Sequence, residues 1–135
     1  MAHWLLKSDP ETYGFADLER DKTTVWDGVR NPQALSYLRQ MKQGDQLLIY
    51  ETGADKHIVG LAEATRAAYA DPKQNDDKLV VVELRVGKRL PRPVTLAEIK
   101  ADRAFAEFQL VRMSRLSVMP VPAPLWKKLI TMGGL

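Results

Sequence analysis

Residues 25 to 41, VWDGVRNPQALSYLRQM, begin with a strand pattern and end with a helix pattern, and hold Trp26, Gly28, Val29, Arg30 and Asn31 at the junction. These residue types together can build a ligand site. A tryptophan at a strand end offers a flat face to a planar group. A glycine permits close approach of a ligand or a positive φ. A helix beginning at Asn31 presents free N–H groups to an anion or a polar base edge. Arg30 can hold a phosphate in a two-pronged contact. The competing reading is a core tryptophan followed by a well-capped helix, with Asn31 as the cap.

Two other stretches carry the same kind of chemistry. Lys7 and Ser8 follow a strand and precede a helix start, so a lysine could meet phosphate and a hydroxyl a base edge. In MSRLSVMP, strand alternation would put Arg115 and Ser117 on one face, with Arg112 close by. Each stretch is also compatible with an ordinary solvated turn or edge. The run RVGKRLPRP holds Arg85, Lys88, Arg89 and Arg92 with no acid among them, a stripe suited to phosphates or simply to solvent. Enzyme signatures are scarce. No G-x-S-x-G, P-loop or G-x-G-x-x-G occurs, and the adjacent carboxylates Asp76 and Asp77 sit in a turn-rich loop where they diverge. No catalytic set, metal site or cofactor is expected.

The elements that must position these residues follow from local patterns. HWLL reads as a strand, and Asp9 before Pro10 as a helix start. FADLERD suits a short helix and TTVW a strand. After Asn31 and Pro32, the residues Ala34, Leu38 and Met41 share one helical face, while Gln33, Arg39 and Gln40 face water. QLLIY, HIVGLAEAT and KLVVVELRV are strands separated by turn chemistry. Thr95 and Glu98 form a capping box for a further helix. RLSVMPV is a last strand, which Pro120 restricts to an edge or an end. PLWKKLI closes the chain as a helix with Trp126 and Leu129 inward. Strands outnumber regularly alternating helices, so a small mixed α+β barrel of about five to six strands is predicted, not a doubly wound sheet.

Composition limits the remaining choices. A chain of 135 residues, 45% hydrophobic and 27% charged, suits one globular domain over residues 1–135. It has no cysteine, which excludes disulfides, zinc–thiolate sites and cysteine nucleophiles. No apolar run approaches membrane-spanning length and the opening residues do not form a signal peptide, so a cytoplasmic location without membrane attachment is expected. The net charge of +3 is uneven: residues 1–67 carry 8 Lys/Arg against 10 Asp/Glu, and residues 68–135 carry 12 against 7.

Along nearly its whole length the chain resembles the EVE domain family. The motifs are WLLKSDPETYGFADL, VWDGVRNPQA, MKQGDQLLIY, IVGLAEA, AYADP, PVTLAEIKA and RLSVMPV, in family order and spacing. The resemblance implies a PUA-like barrel with flanking helices, related to YTH and ASCH domains. It also implies binding of nucleic acid, DNA or RNA, through a modified base flipped into an aromatic pocket, with no cofactor. Trp26 would then be one wall. Lys7 and Ser8 would approach the base edge and its phosphate, and Gly28, Val29, Arg30 and Asn31 would complete the rim. Tyr69, and after it Tyr50, is the expected second wall. Asp9, Pro32 and Glu51 depart from the family's pattern, and Glu51 near a nucleic-acid path would repel phosphate. The alternative classes are a PUA-like enzyme that modifies nucleic acid or processes nucleosides, and a protein-interaction module.

Overall fold

The structure, a computed structural model, describes residues 2–135. In chain order it comprises β1 (His3–Ser8), α1 (Pro10–Tyr13), α2 (Phe15–Asp21), β2 (Thr23–Trp26), α3 (Pro32–Gln40), β3 (Gln46–Glu51), β4 (His57–Ala64), β5 (Tyr69–Ala70), β6 (Val80–Thr95), α4 (Leu96–Ala101), α5 (Gln109–Arg112), β7 (Val118–Pro120) and α6 (Ala123–Met132). A 3-10 turn at Arg103–Phe105 precedes α5. The strands form one mixed sheet in the order β2-β6-β4-β3-β1-β7, and β5 adds to β6. Among the described residues, only β1 and β3 pair in parallel. The sheet curls into a half-barrel with helices on its flanks, so the mixed α+β expectation holds. The short β5 brings the strand number to seven.

The apolar runs form the core. Trp4, Leu5 and Leu6 of β1, Leu47 to Tyr50 of β3 and Ile58 and Val59 of β4 are all buried. On α3, Ala34, Leu35 and Leu38 face inward and Met41 closes the helix against the core, while Gln33, Arg39 and Gln40 are exposed. On α6, Leu129 is fully buried, whereas Trp126 is half-buried and its ring stacks on His3 at 4.4 Å. Pro120 lies on β7, the last strand of the sheet, where its missing N–H interrupts no ladder.

Two features were not legible in the sequence. The strand predicted to end near Val86 continues through the whole basic segment to Thr95. It does so because β4 still supplies ladder partners at Arg89, Val94 and Thr95, with register shifts that bend the pair. Pro91 and Pro93 fall in the interval between Arg89 and Val94 where no partner is required. The other feature is Asp45. This buried carboxylate accepts from the Trp4 indole Nε1 at 2.9 Å, from the Lys42 amide at 3.0 Å and from the Ala2 amide at 3.2 Å. It thereby locks the start of β1 to the turn before β3.

The α1–α2 unit is fixed on the sheet by a steric fit. Phe15, fully buried, lies over Gly60 of β4 so closely that a Cβ there would stand 2.3 Å from its Cζ. The Phe15 ring would have to move to relieve that overlap. Gly60→Ala should therefore lower the stability of the fold by about 1–3 kcal/mol. An unchanged urea midpoint for this variant would show that α2 is not seated by Phe15.

Candidate functional site

One cavity gathers residues from three separate parts of the chain. It has a volume of about 580 Å3, within the ~300–1,000 Å3 typical of ligand clefts. Lys7 and Ser8 reach it from the end of β1, and Thr12 and Tyr13 from α1. Thr24 to Trp26 of β2 and the loop Asp27–Arg30 form the facing wall, and Ser117 completes it just before β7. The two strand-to-helix junctions thus open onto a single space. Gly28 adopts φ +77°, with nothing within 4 Å of where a Cβ would be, so its role is conformational.

The three tryptophans separate by their hydrogen bonds. Trp4 is buried and its indole donates to Asp45. Trp126 rests on His3. Trp26 is half-buried, packs one side against the core and lines the cavity with the other, and its indole nitrogen donates to none of the described residues. Trp26 thus both packs on the core and faces the cavity. Tyr13 lines the same cavity and packs edge-on against Trp26, at 88° and 6.5 Å between centroids. The Tyr13 hydroxyl donates to Asp21 at 2.9 Å, which fixes the ring from behind. Sequence reasoning missed Tyr13, although its place four residues after the cap Asp9 puts it on the short helix that follows Lys7-Ser8.

The two tyrosines expected as the second wall do not line this cavity. Tyr69 sits on β5, its ring stacked under the Arg66 guanidinium at 4.1 Å and its hydroxyl bonded to Glu83 at 2.6 Å. Tyr50 is buried beneath Lys7, whose Nζ lies 5.7 Å from the ring centroid. Asn31 caps α3 by accepting from the Gln33 and Ala34 amides, so its side-chain oxygen is already engaged. Arg115 is not on a strand face with Ser117. β7 begins only at Val118, because residues 113–116 turn with the Leu116 amide bonded to the Met113 carbonyl, and Arg115 lines a neighbouring cleft.

The basic segment of β6 also lies elsewhere. Trp26 is paired with Val82, and the strand runs from there past Arg85 and Arg89 towards α6, away from the cavity. Three of its four cations are paired: Arg85 with Glu63, Arg89 with Glu19 at 2.6 Å, and Arg92 with Glu98. Lys88 alone has no partner among the described residues, in a groove next to Leu135. The acids absent from the segment itself are supplied by its neighbours in space. Glu51 has a structural task as well: its Oε2 accepts from the Phe15 amide at 2.8 Å and so caps α2, whose own cap residue, Gly14, has no side chain. The side chain is turned towards α2 and His57, not towards the cavity.

Lys7 and Ser8 have unusual environments. Lys7 is half-buried, its Nζ donates to the Ser114 carbonyl at 3.0 Å, and burial pushes its pKa below the ordinary lysine value of 10.5. Ser8 is 9% exposed, and its hydroxyl, buried at the cavity wall, has no hydrogen-bond partner among the described residues. An unbonded buried hydroxyl costs on the order of 1–3 kcal/mol.

A model of the EVE domain family matches residues 2–132. The chain belongs to the EVE domain family. It is 31% identical to human thymocyte nuclear protein 1, over 89% of this chain and 68% of that protein. A protein of Rhodopseudomonas palustris, solved by NMR, superposes with a TM-score of 0.94 at 40% identity, covering 99% of this chain and 94% of that one. The human THYN1 protein in complex with DNA containing 5-methylcytosine superposes at 0.90 with 27% identity, covering 100% and 99%. This EVE domain also shares its fold with the YTH domain of the Zygosaccharomyces rouxii MRB1 protein, solved with N6-methyladenosine RNA, at a TM-score of 0.62 and 14% identity over 99% and 87%. No helix among the described residues is long and apolar enough to cross a membrane.

The Lys7 environment has a measurable consequence. Burial favours the neutral amine in the folded state, so the folded protein releases this proton at a lower pH than the unfolded chain. Between the lowered pKa and 10.5 the unfolded state binds more protons, and folding stability should rise with pH through that window. Below it the burial penalty is fully present. Subtracting the pH–stability curve of Lys7→Met from that of the parent should isolate the rise. Two parallel curves would show that Lys7 is fully solvated.

Proposed function

We propose that this EVE domain binds nucleic acid by holding one modified base, flipped out of its strand, in the cavity lined by Trp26 and Tyr13. The observation that carries the reading is the Ser8 hydroxyl, buried and unbonded at the wall of that cavity. A stable fold satisfies most of its buried polar groups, and a donor or acceptor of a bound base at this wall would supply the partner that Ser8 lacks. The Trp26 face supplies what a flipped base needs, since the protein must replace the stacking lost from the strand. Lys7 and Arg30 at the same opening suit the flanking phosphates. The human relative solved with 5-methylcytosine DNA supports the same class of ligand.

The reading is one of binding without turnover. The chain's histidines stand apart from the cavity, His57 beside Glu51 and His3 on Trp126. A cytoplasmic location remains part of the proposal and rests on composition. Release of a free base or altered nucleoside from a modified oligonucleotide would turn the assignment towards the enzyme class.

A panel of oligonucleotides that differ in a single modified base tests the proposal. Trp26→Ala should weaken binding of the preferred modified oligonucleotide by about ten- to a hundredfold, because stacking on an aromatic face is worth roughly 1–3 kcal/mol per base. Its cost in stability should stay below the ~3–5 kcal/mol of a fully buried aromatic, as only one side of the ring is packed. Full affinity in a destabilised variant would make Trp26 a core residue.

Ser8→Ala gives an opposed pair of outcomes. Removing an unbonded hydroxyl should leave the free protein as stable as before or slightly more so. Binding should fall by about three- to tenfold for one lost hydrogen bond worth ~0.5–1.5 kcal/mol. Equal affinity of the two proteins in titration calorimetry would remove Ser8 from the site.

A further inference from the structure

Beside the base cavity lies a second, shallower cleft of about 300 Å3, between the start of α3 and the turn that precedes β7. Its cationic lining is Arg112 and Arg115, and Asn31, Gln33 and Ser114 contribute polar groups. The two hollows are contiguous in structure. Arg30 lines the first and Asn31, the next residue, the second. Lys7 of the first donates to the carbonyl of Ser114 in the second. Side-chain contacts brace the cleft walls: Gln109 Nε2 donates to the Tyr37 hydroxyl at 2.8 Å, and α3 packs on β7.

Pairing distinguishes Arg30 and Arg115 from the basic segment of β6. Among the described residues, neither Arg30 nor Arg115 has an ion-pair or hydrogen-bond partner. Arg112 holds only a 3.3 Å contact with Glu107, a side chain 86% exposed. Arg85, Arg89 and Arg92 each face a glutamate, so the field of that stripe is largely cancelled. A polyanion gains most where cations are uncompensated, because each neutralised phosphate then releases a counterion. The first two amides of α3 that could hold an anion are taken by Asn31, so the arginines, and not the helix end, carry the attraction.

We propose that the cleft of Arg112 and Arg115, joined to the base cavity by Arg30, is the phosphodiester track for the strand whose base enters that cavity. The inference rests on the base-binding reading for its direction: the strand crosses from the mouth at Arg30 over Ser114 to Arg115. β6 takes no part. The occupant is a single nucleic-acid strand, since consecutive cations along a cleft next to a base-sized hollow match alternating phosphates and an extruded base.

The test compares salt dependence on a short unmodified single-stranded oligonucleotide, with each variant's melting temperature as a control for folding. Arg112→Gln with Arg115→Gln should flatten the log–log salt slope by about 0.7 per lost contact on a single strand. Arg30→Gln should add a further step. Arg85→Gln with Arg89→Gln and Arg92→Gln should leave the slope unchanged. The reverse pattern, with a flattened slope only for the β6 set, overturns the track. Trp26→Ala on a modified oligonucleotide keeps the two readings apart. If it weakens binding while the cleft variants leave the slope intact, the track fails and the base cavity stands. If it has no effect while the cleft variants flatten the slope, the track stands without the flipped base. Absence of any salt-dependent binding by the parent protein overturns both.

Discussion

A sheet whose two end strands approach without pairing leaves a gap lined by main-chain and side-chain groups, and in this fold the gap is the cavity. β2 is bonded only to β6, and β7 only to β1, yet residues of β2 and of the β1–β7 end line one hollow. Had β2 and β7 joined, the ladder would have consumed these groups and filled the space. The open seam also explains why Val25 can remain 48% exposed on a strand. The long, bent β6 carries β2 at its start, so the residues that define the site depend on a strand that itself lines none of the cavity.

Holding a cavity at a seam requires support from outside the ladder, and much of it comes through α1 and α2. Phe15 seats α2 on Gly60, and Glu51 reaches from the end of β3 to cap it. Asp17 accepts from the Gly14 amide at 2.8 Å, and Asp21 holds the Tyr13 hydroxyl. These acids face α1 and α2 and restrain the Tyr13 ring at its distance from Trp26. The glutamate that looks hostile to phosphate in the sequence is thus part of the scaffold that keeps an aromatic wall upright.

Local chemistry in the sequence was a good guide to the elements. Asp9-Pro10, Asn31-Pro32 and Thr95-Glu98 each start a helix where their side chains imply one. Trp26, Lys7 and Ser8 could be proposed as neighbours because both of their segments end strands just before helix starts. Tyr13 could not be chosen over Tyr50 or Tyr69 from local pattern, because the choice depends on which way a four-residue helix turns its side chains. The pairing of Arg85, Arg89 and Arg92 was equally hidden, since Glu63, Glu19 and Glu98 reach them from β4, α2 and α4. Charge read along a chain overstates charge felt in space whenever partners arrive from other strands and helices.

The loop after Trp26 carries one further implication. Among the described residues, Asp27, Gly28, Val29 and Arg30 make no hydrogen bond, through backbone or side chain, although strand pairing ends immediately before them and α3 begins immediately after. Their main-chain groups therefore depend on water, and within the loop Val29 alone packs against the core. Such a segment has the least local free energy to lose and opens far more readily than the sheet beside it. An occupant of the cavity would be recorded as protection of these amides against solvent exchange, while the strands that carry the loop would change little. Slowed exchange at these four peptide groups would report occupancy without knowledge of what the occupant is.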